Sequence, residues 1–126
     1  MENKELVNWL NNFKEAWEER NTEKVISLFS KDVIYFESPL NKPCENLEAV
    51  SSLWKVVPTN QKDVIFNFEI ISNTEKISVV NWKLSRIKLP NKEKEIVDGI
   101  FLISLNKEGL CTLFKQWRAS KITPKV

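Results

Sequence analysis

Histidine is absent from the 126 residues, tyrosine occurs once, and glycine and cysteine occur twice each. Each scarcity excludes something. Zinc, copper and non-haem iron sites lean on imidazole, as do most general-base and triad mechanisms, so these classes lose their usual ligand and base together. No metal and no cofactor is expected. Cys44 and Cys111 are too few for a disulfide framework and have no CxxC spacing, so free thiols are expected. No segment approaches the roughly 20 apolar residues that span a bilayer, and the opening Met-Glu-Asn-Lys-Glu-Leu lacks the basic and apolar regions of a signal peptide. A cytoplasmic protein without a membrane partner is the resulting expectation. Net charge is +2 with acids and bases interspersed. No basic stripe is present to track phosphates, and nucleic acid is not an expected partner.

What the chain does have is bulky apolar material. Five tryptophans and seven phenylalanines in a sequence that is 42% hydrophobic suffice to fill or line one interior, and residues 1–126 are read as a single domain. Leu6, Leu10, Phe13 and Trp17 recur at helical spacing from Glu5 to Glu19, with Trp9 and Ala16 widening the stripe. Asn21-Thr22 offers capping oxygens for a second, shorter helix through Val25, Leu28 and Phe29, ending near Ser30-Lys31-Asp32. Val33 to Glu37 is β-branched and aromatic, hence a short strand stopped by Ser38-Pro39. Asn46 caps a third helix in which Val50, Leu53, Trp54 and Val57 share a face, and Pro58 breaks it.

Beyond Pro58 the period changes to two. Asp63 to Ser72 and Lys76 to Leu89 read as strands. They are followed by a hairpin whose arms are Glu93–Leu105 and Leu110–Ser120, joined by Asn-Lys-Glu-Gly with Gly109 at positive φ. Gly99 stands in the middle of the first arm, where glycine marks a bulge, a bend or a close approach. Its neighbour Asp98 is an acid in an apolar run.

The fold class that follows is α+β: three N-terminal helices on the concave face of a strongly curved, mostly antiparallel sheet. Phe29 to Asp32, Tyr35-Phe36-Glu37-Ser38-Pro39, Leu47-Glu48-Ala49-Val50 with Trp54, Asp98-Gly99-Ile100 and Gln116-Trp117-Arg118 appear in an order that resembles the SnoaL-like branch of the nuclear-transport-factor-2-like superfamily. The resemblance implies a cone-shaped single domain with a pocket. It implies no one chemistry, because the superfamily spans isomerases, dehydratases, cyclases, epoxide hydrolases and transport factors.

Candidate site residues follow from placement near the expected bend. Asp98, in a low-dielectric cavity, would have a raised pKa and serve as base or neutral donor; the alternative is a solvent-facing acid paired with Arg118 or Arg86. Tyr35 and Glu37 share one strand face and supply a donor and an acid, so Asp98, Glu37 and Tyr35 are the catalytic candidates. Trp17, Tyr35, Trp54, Trp82, Asp98 and Trp117 are the ligand-binding candidates, with core filling as the competing role of the tryptophans. Lys83, Arg86 and Lys88 read as a solvated strand edge. A protein binding a small apolar or amphipathic molecule is the leading function. A lyase or isomerase using Asp98 or Glu37 as base, and a protein-interaction module, are the alternatives. The uncovered sheet face carries Ile, Phe and Val, which calls for a homodimer through the sheet.

Overall fold

A computed structural model describes residues 4–123 of the chain. Helix α1 (Lys4–Glu18) buries Leu6, Trp9, Leu10, Phe13, Ala16 and Trp17 along one stripe, as its helical spacing dictates. Arg20 takes a positive φ of 55° and lets the chain reverse into α2 (Thr22–Ile26), where the Asn21 side chain accepts from the Lys24 amide. This helix is shorter than its periodicity predicts. Phe29 already belongs to β1 (Phe29–Phe36) and sits opposite Cys111 of the last strand. A parallel partner more than eighty positions away leaves no trace in local spacing, and its ladder overrides the helical pattern.

Helix α3 (Leu47–Trp54) starts at Asn46, whose side chain accepts from the Ala49 amide at 2.8 Å, and buries Val50 and Trp54. Pro58 does not simply end the helical region. It lies in the first turn of a one-turn helix, α4 (Val57–Asn60), where its missing N–H would have had no helical acceptor. The Arg20 guanidinium donates to the Pro58 and Gln61 carbonyls at 3.0 Å each, pinning this turn to the end of α1.

The four remaining strands are β2 (Gln61–Asn73), β3 (Ser78–Lys88), β4 (Glu93–Leu105) and β5 (Cys111–Thr123), in one five-stranded sheet ordered β1-β5-β4-β3-β2. Only the β1–β5 pairing is parallel; the others are antiparallel. The β4–β5 turn carries Gly109 at φ 80°, and Asn106 Oδ1 accepts from the Glu108 and Leu110 amides. Register breaks fall between Lys62 and Ile65, between Ile70 and Ser72, and beside Ser104. They do not fall at Gly99, which pairs continuously with Trp82 on one side and Arg118 on the other. Its smallness has another cause: a Cβ there would lie 2.2 Å from the Trp117 carbonyl oxygen and 2.8 Å from Trp82 Nε1. Close approach, rather than a bulge, is what this position requires.

The helices cover one sheet face. Phe13 of α1 is the hub beneath them, with ring centroids of Trp9, Trp17, Trp54, Phe66, Phe101 and Phe114 all between 5.2 and 5.9 Å away. Edge-to-face pairs predominate, the arrangement that ring quadrupoles favour.

Candidate functional site

Packing on the inner face is not uniform along the strands. Toward the ends of α1 and α3 the rings give way to a cavity of about 320 Å³, walled by Phe13, Trp17, Leu53, Trp54, Val57 and Leu89. That is near the lower end of small-molecule sites. Sheet residues on the same face then turn polar: Gln61 of β2, Arg86 and Lys88 of β3, and Gln116 and Arg118 of β5 line it, with Tyr35 and Glu37 from β1 and its end.

The walls are fixed by hydrogen bonds among the lining residues themselves. Trp17 Nε1 donates to Gln61 Oε1 at 2.9 Å, and Trp54 Nε1 donates to the Tyr35 hydroxyl at 3.1 Å. Gln116 Nε2 donates to the Glu37 carbonyl at 2.7 Å. Each bond joins a helix to the sheet or one strand to the next, which sets side-chain direction as well as position. The Tyr35 hydroxyl accepts from the indole, and among the described residues nothing accepts its own hydrogen. Burial pushes its pKa well above the ordinary value, with the indole bond opposing and the Glu37 charge reinforcing the shift. Tyr35 is therefore a neutral hydrogen-bond donor at physiological pH.

Charge enters at the sheet. Arg86 Nε and Nη2 both approach Glu95 Oε1 at 2.8 Å, and the two side chains are only 12% and 8% exposed. Such a pair is held by mutual compensation, and loss of either member would strand the other. Glu37 sits exposed at the rim.

The sequence-predicted residues divide. Trp17, Tyr35, Trp54 and Glu37 all line the cavity. Asp98 does not: it is exposed on the opposite sheet face, where it accepts from Asn81 Nδ2 at 2.7 Å and faces Lys83 at 4.0 Å. The reason is parity, since Val97, Gly99 and Phe101 point inward and their neighbours must point out. Glu93 and Glu95 share the inward parity of Phe101, and Glu95 is the buried one. Trp82 is inward but fully buried beneath the cluster, stacked on Phe101 at 4.8 Å, and lines no cavity. Trp117 is on the outer face, 38% exposed, with the Lys115 ammonium 5.1 Å from its ring. Arg86 is likewise no solvated edge.

Sequence reasoning missed Phe13, Gln61, Gln116 and the Arg86–Glu95 pair. One signal was present: Glu95 shares its parity with Val97, Phe101 and Ile103, so the acid on the apolar face was readable once that face was chosen. Gln116 stood in the Gln116-Trp117-Arg118 motif without a role of its own, and nothing local marked Gln61.

No group of three or more Cys, Asp or Glu side chains among the described residues is placed to hold a metal ion. No helix among them is long and apolar enough to cross a membrane.

No protein-family model matches the sequence, and no curated protein matches it. Solved structures do match in shape. The epoxide hydrolase/cyclase-like enzyme SalBIII of pyran ring formation in the polyether salinomycin superposes with a TM-score of 0.79 at 10% identity, over 92% of this chain and 94% of that one. The Δ5-3-ketosteroid isomerase of Mycobacterium sp. gives 0.73 at 15% identity, over 94% and 98%. An NTF2-like protein of unknown function from Exiguobacterium sp. 255-15 gives 0.72 at 18% identity, over 88% and 98%. Helices on one face of a five-stranded, mostly antiparallel sheet, shared with these structures over nearly their whole length, give this chain the cone fold of the SnoaL-like and nuclear-transport-factor-2-like proteins.

Proposed function

We propose that this chain binds a small, largely apolar molecule in the cavity between α1, α3 and the sheet. The observation that carries the reading is the combination of aromatic walls with a lining held by its own hydrogen bonds. Trp17 and Trp54 are each tied to a polar partner in the same cavity. A plain core satisfies its indoles with main chain, as Trp9 does with the Leu28 carbonyl; here the partners are side chains that themselves line the cavity. Two solved structures of this fold are those of an isomerase and a cyclase-like enzyme, and small molecules are the natural occupants of such a space.

The test is saturable binding of a neutral aromatic probe, naphthylacetamide, followed by calorimetry. A low-millimolar or tighter Kd is expected, and Leu53→Trp, which fills the cavity, should abolish it while leaving the circular dichroism spectrum unchanged. Equal binding by the filled variant, and by Val57→Phe as a second filler, would refute the reading.

One observation favours catalysis as the second reading. The Tyr35 hydroxyl has no acceptor for its hydrogen among the described residues and Glu37 stands at the rim, so an isomerase or lyase would use Tyr35 as donor to an oxygen and Glu37 as base. Asp98 drops out of this scheme.

The outer sheet face supports a homodimer. Ile65, Ile96 and Trp117 are exposed there, and the Lys83–Asp98 pair near its middle is self-complementary across a two-fold axis. Trp117→Lys should convert a sedimenting dimer to monomer. Two unbridged cysteines support a reducing, cytoplasmic setting.

A further inference from the structure

The charge of the cavity is unbalanced. Of its ionisable lining, Arg86, Lys88 and Arg118 are cations and Glu37 is the sole carboxylate. Arg86 is neutralised by Glu95 at 2.8 Å. Lys88 and Arg118 have no carboxylate within ion-pair distance among the described residues. Glu93, which faces Lys88 across the β3–β4 ladder, does not close on it. Lys88 is half-buried and Arg118 exposed, so this pair marks the mouth, while Phe13, Trp17 and Trp54 form the depth.

Resting on the small-molecule reading, we propose that the ligand is an amphipathic monoanion: a flat apolar body among the indoles, with a carboxylate drawn to the mouth by the unpaired cations Lys88 and Arg118. The guanidinium supplies a planar fork that matches a carboxylate, and the ammonium a second point charge. Tyr35 adds a neutral donor deeper in the wall. A neutral molecule would leave both cations to water and gain nothing from them. The count also limits the charge. Two uncompensated cations against Glu37 leave one positive charge, which suits a single carboxylate and disfavours a phosphate dianion. Glu37 opposes the anion, but from an exposed rim where solvent screens it.

Naphthylacetate and naphthylacetamide have nearly the same shape and differ by this charge. At low ionic strength the acetate should bind about tenfold tighter, the order expected of a charge-assisted contact partly open to solvent. Lys88→Gln with Arg118→Gln should erase the preference, chiefly by weakening the acetate. Glu37→Gln, an exposed change with no folding risk, should widen the preference by less than about twofold because solvent screens that charge, and half-molar salt should narrow it. Equal binding of the two probes by the natural sequence, or a preference unmoved by Lys88→Gln with Arg118→Gln, would overturn the proposal and leave the small-molecule reading standing. Failure of both probes to bind would overturn that reading itself.

Discussion

The two ends of the inner sheet face are built from the same residue types and closed by opposite means. At one end Trp9, Phe29, Phe101 and Phe114 meet ring to ring, with Phe101 and Phe114 centroids 4.6 Å apart, and the Trp9 indole N–H donates to the Leu28 carbonyl. There the polar atoms serve the backbone and the rings exclude everything else. At the other end Trp17 and Trp54 donate to Gln61 and Tyr35, which themselves face the cavity. A tryptophan closes a core when its N–H is satisfied by main chain and its faces by other rings. The same residue walls a pocket when side chains that need space around them satisfy it.

Removing a ring from the closed end should have the largest effect. Phe101 is fully buried, and Phe101→Ala should cost about 3–5 kcal/mol by urea unfolding, transfer and cavity terms together. A loss under about 1 kcal/mol would mean that this end collapses easily and is no tighter than the other.

At the open end the corresponding lesion is ionic. Arg86→Gln should cost about 3 kcal/mol by leaving Glu95 buried without its partner, whereas Arg86→Met combined with Glu95→Leu should recover most of the loss. A double variant as unstable as the single would show that the pair stabilises the fold beyond mutual compensation.

Alkaline titration compares the two ends through one measurement. Burial raises the pKa of Cys111 above its ordinary 9.0 and that of Tyr35 above 10.0. Below pH 9 both groups are protonated in the folded and unfolded chain, and stability does not depend on them. Above pH 9, then above 10, the unfolded chain loses first the thiol and then the phenol proton while the folded chain keeps both. Stability should fall by about 1.4 kcal/mol per pH unit for each group. Cys111→Ala should remove the first leg of the decline and Tyr35→Phe the second. A Tyr35→Phe curve unchanged above pH 10 would place that phenol in contact with water.

The smallest effect belongs to the outer face once it is freed of its copy. Asp98 is 58% exposed in the single chain and 4.0 Å from Lys83, so in the Trp117→Lys monomer Asp98→Asn should change stability by less than about 0.5 kcal/mol and probe affinity not at all. A larger loss in unfolding free energy from the same change in the natural sequence would mean that the outer face is buried against a second copy.

Periodicity by itself determined the order of the longer elements and, apart from residues 29–32 and the one-turn α4, their partition into helix and strand. The helical stripe of α1, the Asn21 and Asn46 caps, the change of period after Pro58 and the Gly109 turn are local signals, carried by residues a few positions apart. The pairing of Tyr35 with Trp54 and of Trp17 with the site was half legible, because each is large and lies on a readable face. What only the tertiary structure decided was which face of each strand points in. A strand with apolar residues on both faces, as in Ile96-Val97-Asp98-Gly99-Ile100-Phe101, satisfies either choice locally. The choice falls to α1, whose rings select Val97 and Phe101 and with them Glu95, and so send Asp98 to solvent. Period two makes that single decision govern every residue on the strand at once. The same long-range packing moved Phe29 from helix to strand and set the Trp117 carbonyl and the Trp82 indole against Gly99.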